Sequence, residues 1–267
     1  HQSPYDVNLE IYRKIHRSIT GWPGGKPNTD DTHRPERAKP VKKRVLILSP
    51  HPDDDVISMG GTFARLVDQG HDVHVAYQTS GNIAVNNSDV LKFIEVFSET
   101  SKSSKKQYQP IINLLLNSNE IIDDKNVRNI ATLIREKESL GATRFIGISD
   151  NNVHFLRLPF YESGSIQKNP ISEKDHLIIE NLIKEVKPHQ IFAAGDLADP
   201  HGTHKICLDI FFNVLKSLKN EKFMNDCWVW LYRGAWHEWE VHEIDMAIPM
   251  SPNQILRKRN SIFFHQT

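Results

Sequence analysis

Residues 44–49, Arg-Val-Leu-Ile-Leu-Ser, form a continuous apolar run of strand length, and the residues directly after it leave few ways to fold it. A run without polar alternation is expected where a parallel strand is buried on both faces. Behind it come an acidic loop at 51–55, Gly60-Gly61, a helical stretch ending on Gly70, and a second strand-like run, Asp-Val-His-Val-Ala-Tyr, closing on Thr79-Ser80-Gly81-Asn82. Strand, helix and strand in so short a span predict a βαβ unit with a right-handed crossover.

The pattern continues down the chain. Residues 88–140 are polar and mostly helical, and the lysine-serine run at 101–106 reads as a solvated loop or helix face. Strands are expected at 152–159, 190–195, 227–234 and 242–249. Ile178, Ile179, Leu182, Ile183 and Val186 define an amphipathic helix that stops at Lys187-Pro188. Residues 204–218 form a second helix, and Ser251 caps a terminal one. Alternating strands and helices predict an α/β fold, a Rossmann-like, mainly parallel sheet with helices on both faces. Upstream, Val7, Ile11, Ile15 and Ile19 recur every four residues beside Tyr12, an apolar stripe expected to pack on a larger body. The proline- and glycine-rich stretch 21–43 reads as an extended connector. Residues 1–43 are thus a helix plus connector, and 44–267 a single domain. A chain opening on a histidine is expected to be a piece of a longer polypeptide.

Lys+Arg and Asp+Glu are both 33, so no basic excess points to a nucleic acid or an anionic membrane. Cys207 and Cys227 are too few for a disulfide framework or a four-cysteine metal cluster, and Cys207 reads as a small core residue. With no apolar run of membrane length and no signal peptide at its start, the chain is expected to be cytoplasmic.

The loop His51-Pro52-Asp53-Asp54-Asp55 lies at the carboxyl end of the first strand, where open α/β sheets bind ligands. Three crowded carboxylates repel one another and are costly to desolvate, so open water or a cation must offset them. Pro50 and Pro52 hold the backbone extended around His51, letting His51 and Asp54 converge while Asp53 points elsewhere. A third metal ligand is expected from another strand end, and His201 and His204 come after the strand at 190–195. Two histidines and an aspartate leave a position for water, the pattern of a catalytic zinc rather than a closed structural one. Taken alone, the acidic triplet reads as a solvated helix start, and the two histidines as surface or capping residues. Thr79–Asn82 fits a turn or a substrate contact. Trp228, Trp230, Trp236 and Trp239 fit a core cluster or a sugar-stacking surface.

These stretches resemble the PIG-L/LmbE family of zinc-dependent de-N-acetylases. The family's first motif, His-Pro-Asp-Asp-Glu before a Gly-Gly helix start, stands here as His51–Asp55 with Gly60-Gly61-Thr62. Its second, commonly His-Pro-Asp-His, stands as His201-Gly202-Thr203-His204, and residues 257–266 are similar to its C-terminal helix. The resemblance implies His51, Asp54 and His204 as ligands of Zn2+ or another divalent transition metal. It implies Asp53 as general base and His201 as general acid or oxyanion donor. The implied reaction removes an acetyl group from an N-acetylglucosamine-type amino sugar. Asp55 stands in place of the family's glutamate, and Gly202-Thr203 in place of Pro-Asp, which removes an aspartate that could orient His201; Asp199 is a candidate replacement.

Residues 18–40 and 231–252 are further similar to the C-terminal part of long bacterial glucosamine-6-phosphate deaminase-like chains, which implies a sugar-phosphate deaminase domain ahead of this one. Two rival readings are a magnesium-dependent phosphohydrolase and a non-catalytic sugar-binding module of such a chain. Two histidines among three ligands count against magnesium, which prefers oxygen.

Overall fold

The computed structural model describes residues 2–29, 32–37, 39–117, 124–165 and 167–267. Among these, the helices in chain order are α1 (Pro4–Ser18), α2 (Asp54–Asp68), α3 (Asn87–Ser98), α4 (Lys102–Leu116), α5 (Lys125–Ile146), α6 (Glu173–Val186), α7 (Thr203–Leu218) and α8 (Pro252–Ile262). The strands are β1 (Arg44–Ser49), β2 (Asp72–Tyr77), β3 (Val153–Phe155), β4 (Gln190–Ala194) and β5 (Trp228–Tyr232). They form one sheet in the order β3-β2-β1-β4-β5, with every neighbouring pair parallel. No helix among the described residues is long and apolar enough to cross a membrane.

The unbroken apolar runs have the expected cause. Successive residues of β1 alternate between two buried layers. Leu46 and Leu48 join Ala76, Ile191 and Ala193 against α6 and α7. Val45 and Ile47 join Val73, Val75 and Phe192 against α2, α5 and α8. Each such side chain contributes roughly 1.5–3 kcal/mol by leaving water. A third cluster ties α3 and α4 onto α5. Cys207 is fully buried in the α6–α7 layer.

Several expectations need correction. The 242–249 segment is not a strand; it holds only an isolated bridge between Ile19 and Ala247. Its apolar alternation is broken by a turn at Val241–Glu243, closed by reciprocal bonds between Glu240 and Glu243. Helix α2 starts at Asp54, not at Gly60-Gly61. The two glycines lie inside it, past a kink at Met59, where other parts of the chain press close: a β-carbon at Gly61 would sit 1.8 Å from Met250 Sδ, and one at Gly60 2.9 Å from Lys258 Cγ. β3 is shorter than expected, and two residues past its end Arg157 adopts φ 45°. The stripe on α1 is exposed, Ile11 by 52% and Ile15 by 43%, because the helix is tied to the body mainly at its carboxyl end, where Thr20 and Ala247 share a backbone bond.

The proline- and glycine-rich stretch lies under the amino ends of the strands. Gln190 Nε2 donates to the Pro23 carbonyl at 3.1 Å, and a β-carbon on Gly24 would fall 2.0 Å from His71 Nε2. The His71 Nδ1 accepts the Lys43 backbone N–H at 3.2 Å. Burial, with the nearby Lys43 and Lys42 charges, pushes His71 down to about 4. Its ordinary value is near 6.5, so between these limits the unfolded chain takes up a proton that the folded chain refuses. His71 therefore stabilises the fold above pH ~6.5, and its contribution is lost on acidification toward pH ~4, by up to about 1.4 kcal/mol per pH unit. In urea unfolding across this range, wild type is expected to lose midpoint relative to His71→Gln as the pH falls; parallel pH curves would show that His71 is not strained against protonation.

Candidate metal centre

The chain after β1 turns into α2 on one face of the sheet, and the chain after β4 turns into α7 on the other. β1 and β4 are neighbours, so their carboxyl ends border the crevice where the sheet changes winding direction. The β1 loop is held tightly there. Thr79 donates to the Pro50 carbonyl from both its backbone N–H and its hydroxyl, at 3.1 and 2.7 Å. Gly81, at φ 61°, lets Pro52 approach to 2.7 Å of where a β-carbon would stand. Thr79–Gly81 thus act as a turn that props the loop. Ser49 Oγ donates to the His51 carbonyl at 2.6 Å and accepts the Asp55 N–H at 3.1 Å.

Three side chains converge. His204 Nε2 lies 3.1 Å from Asp54 Oδ2 and 3.3 Å from His51 Nδ1, and His51 Nδ1 lies 3.2 Å from the same oxygen. Ligands about 2.0–2.1 Å from a tetrahedral ion are about 3.3 Å apart, so this donor set fits a divalent transition metal without rearrangement. His204 donates its other ring nitrogen, Nδ1, to the Asp196 carbonyl at 3.0 Å, which fixes the tautomer with Nε2 free to bind. The structure thus brings together His51, Asp54 and His204 from the predicted set.

Each aspartate of the triplet meets its charge differently. Burial alone would raise Asp54, but bonds and charges from His204 and His51 outweigh it and hold the carboxyl well below its usual range. The same contact raises His204 despite the opposing effect of its own burial. Asp55 is wholly buried, and burial pushes it up to about 7 although Tyr77 donates to its Oδ2 at 2.9 Å. Asp53 Oδ2 is bound by Arg135 Nη2 at 3.0 Å, and the Arg135 side chain is itself buried. Arg135 also donates to the Thr267 carbonyl, drawing the C-terminal segment to the same place.

His201 stands apart: its ring is exposed, and its backbone N–H donates to Asp199 Oδ1 at 2.9 Å. Asp199 accepts the Thr203 and His204 N–H groups as well, at 2.7 and 3.2 Å, so it caps α7 and engages His201 through the backbone rather than the ring. The tryptophans are not core: Trp228 and Trp236 are 41% and 50% exposed. Sequence reasoning missed Arg135, Asp196 and His265. Asp196 Oδ2 accepts the Trp236 and His237 N–H groups at 2.6 and 2.9 Å, binding the loop after β5 to the loop that carries His204. His265 has both ring nitrogens buried without a hydrogen-bond partner among the described residues, and burial pushes it down to about 4 beside Asp53 and Arg135. Its only signal was the likeness of residues 257–266 to a family helix.

Comparison with known proteins agrees with this geometry. The family model described as PIG-L, GlcNAc-PI de-N-acetylase, matches residues 46–215, spanning the β1 loop and α7. The chain belongs to this family. A glucosamine-6-phosphate deaminase-like protein of Bacteroides thetaiotaomicron is 53% identical over 99% of the chain, which spans only 42% of that relative's length. A diacetylchitobiose deacetylase of Thermococcus kodakarensis is 42% identical over 48 residues, 18% of each chain. Among solved structures, the N,N'-diacetylchitobiose deacetylase of Pyrococcus horikoshii matches with a TM-score of 0.55 at 15% identity, over all of this chain and 80% of that one. A conserved protein of Thermus thermophilus matches with a TM-score of 0.50 at 16% identity, over 83% and 78%. These two likenesses show the PIG-L fold.

Stripped of metal and titrated with zinc, the chain is expected to bind about one ion. His204→Ala and Asp54→Asn should lose it, and Asp53→Asn, whose carboxylate is paired with Arg135, should keep it. Calorimetry showing that Asp53→Asn loses zinc while Asp54→Asn retains it would reverse the assignment within the triplet.

Proposed function

We propose that this PIG-L chain is a zinc-dependent hydrolase that removes the acetyl group from an N-acetylated amino sugar of the N-acetylglucosamine type. The observation that carries the reading is the His51–Asp54–His204 triangle with a second carboxylate, Asp53, next to it in sequence but held outside it by Arg135. Zinc held by these three residues supplies Lewis acidity toward the amide carbonyl and acidifies water. Asp53 takes the proton of the attacking water. Arg135 anchors one of its oxygens, so the carboxylate keeps its place while the other oxygen receives the proton.

Amide hydrolysis also needs a proton on the departing nitrogen, since an amine anion is a poor leaving group. Asp53 returns the proton it took, or an imidazole delivers one. His201 is one candidate, as general acid or as donor to the oxyanion. His265 is a second: held neutral by burial, it offers one N–H donor beside Asp53. The product is a free amino sugar, the class of compound that a glucosamine-6-phosphate deaminase consumes, so in a longer chain this hydrolase would supply a deaminase domain with its substrate. No residues here are assigned to deamination itself.

The test is acetate release from N-acetylglucosamine and its oligomers by the zinc-loaded chain. Asp53→Asn should lower the rate by ~10²–10⁴ while keeping its zinc. No acetate from any of these sugars by zinc-loaded wild type would overturn the reading. His201→Ala and His265→Ala, compared by pH–rate profile, separate the two imidazoles: the variant that loses turnover and changes the alkaline limb marks the donor, and an unchanged His201→Ala would make His201 a residue of the α7 start only.

A further inference from the structure

We infer that the groove beside β5 binds a chain of neutral sugars, so that the substrate of the metal centre is an oligosaccharide or glycan rather than a single amino sugar; this rests on the hydrolase reading above and extends it. Strand alternation sends Trp228, Trp230 and Tyr232 to the face that α2, α5 and α8 cover over the middle of the sheet. Beside β5 these helices give way to α1, which stands off and leaves a groove of about 1630 Å³ between itself, β5 and residues 243–248. Trp228 and Trp230 line this groove, about 6.6–6.8 Å apart as alternate residues of one strand. Trp228 is 41% exposed, and the indole N–H of Trp230 is buried without a hydrogen-bond partner among the described residues.

The lining selects the ligand. Arg34 lies over the Trp230 ring at 5.7 Å and Arg233 over Trp239 at 3.6 Å, so aromatic plates and planar donors alternate along the wall. Pyranose rings have apolar C–H faces that stack on indoles and hydroxyl rims that bond to guanidinium and carboxylate groups. A protein helix would call for an unbroken apolar floor. A polyanion would call for one sign of charge, whereas arginines and lysine of α1 share the groove with Asp6, Glu10, Glu243 and Asp245. The groove is also continuous with the metal centre. Arg233 Nε donates to the Gly195 carbonyl at 3.0 Å, and the next residue, Asp196, accepts from His204 Nδ1. A sugar chain leaving the metal would pass Arg233 and Trp239 and run along β5.

The probes are N-acetylglucosamine and its β-1,4-linked tetramer, measured by intrinsic tryptophan fluorescence and by acetate release. The tetramer is expected to shift the fluorescence saturably and the monomer far more weakly. Trp228→Ala should weaken tetramer binding about tenfold, the scale of one lost aromatic stack, and Trp228→Phe should restore most of it. The tetramer-over-monomer ratio of kcat/KM should fall toward one in Trp228→Ala. His204→Ala, without metal, should still bind the tetramer, so the binding readout does not depend on turnover. Acetate release with equal kcat/KM for monomer and tetramer, and no tetramer-induced fluorescence change in wild type, would remove the groove from the substrate path and leave the hydrolase intact. Saturable, Trp228-dependent tetramer binding without any acetate release would do the reverse.

Discussion

Everything at the carboxyl end of this sheet depends on how three consecutive carboxylates are made compatible with burial. A single answer would not serve, because charges so close cannot all be solvated or all be protonated. The fold gives one aspartate to two histidines, one to an arginine and one to a tyrosine hydroxyl. The first arrangement builds a ligand set, the second sets a base beside it, and the third buries a carboxyl that burial favours in its neutral form. The partners come from β1, β2, α5 and α7, so the acidic loop is also the place where both layers of the protein are joined.

Around this point, backbone bonding supplies the rigidity that ligand geometry demands. Asp196 uses its carbonyl to orient His204 and its carboxylate to gather the loop after β5. Asp199 satisfies the first N–H groups of α7, which stabilises the helix start and sets the residue that carries the metal-facing ring. At the opposite end of the strands, the proline-rich strap lies against His71 and Gln190. The sheet is thus closed below by backbone and open above to chemistry.

Much of this was legible in the residues. β1 and β4 carry unbroken apolar runs because both their faces are covered, and a motif placed right after such a run has a known address at the strand end. His51, Asp54 and His204 were therefore within reach of pattern reasoning. Arg135 was not: on α5 it sits among Glu136, Lys137 and Glu138, and a buried arginine in such a run reads like a solvated one. The 242–249 segment misled for a related reason, since alternating apolar residues suit a strand and also a loop laid over an uneven surface. The stripe on α1 showed a helix correctly, but periodicity reports only that one face is apolar, not what covers it.

His51 and His204 are 153 positions apart, yet their ring nitrogens are 3.3 Å apart. No such pair exists in the unfolded chain, so a cation that needs both meets its site only after β1 and β4 have paired. Metal and fold are then linked by mass action: each tenfold rise of the free ion above its dissociation constant adds about 1.4 kcal/mol to the native state. The abundance of intact protein in a cell would follow the supply of the ion, making the catalytic centre also a gauge of metal sufficiency that reads out through turnover of the polypeptide itself.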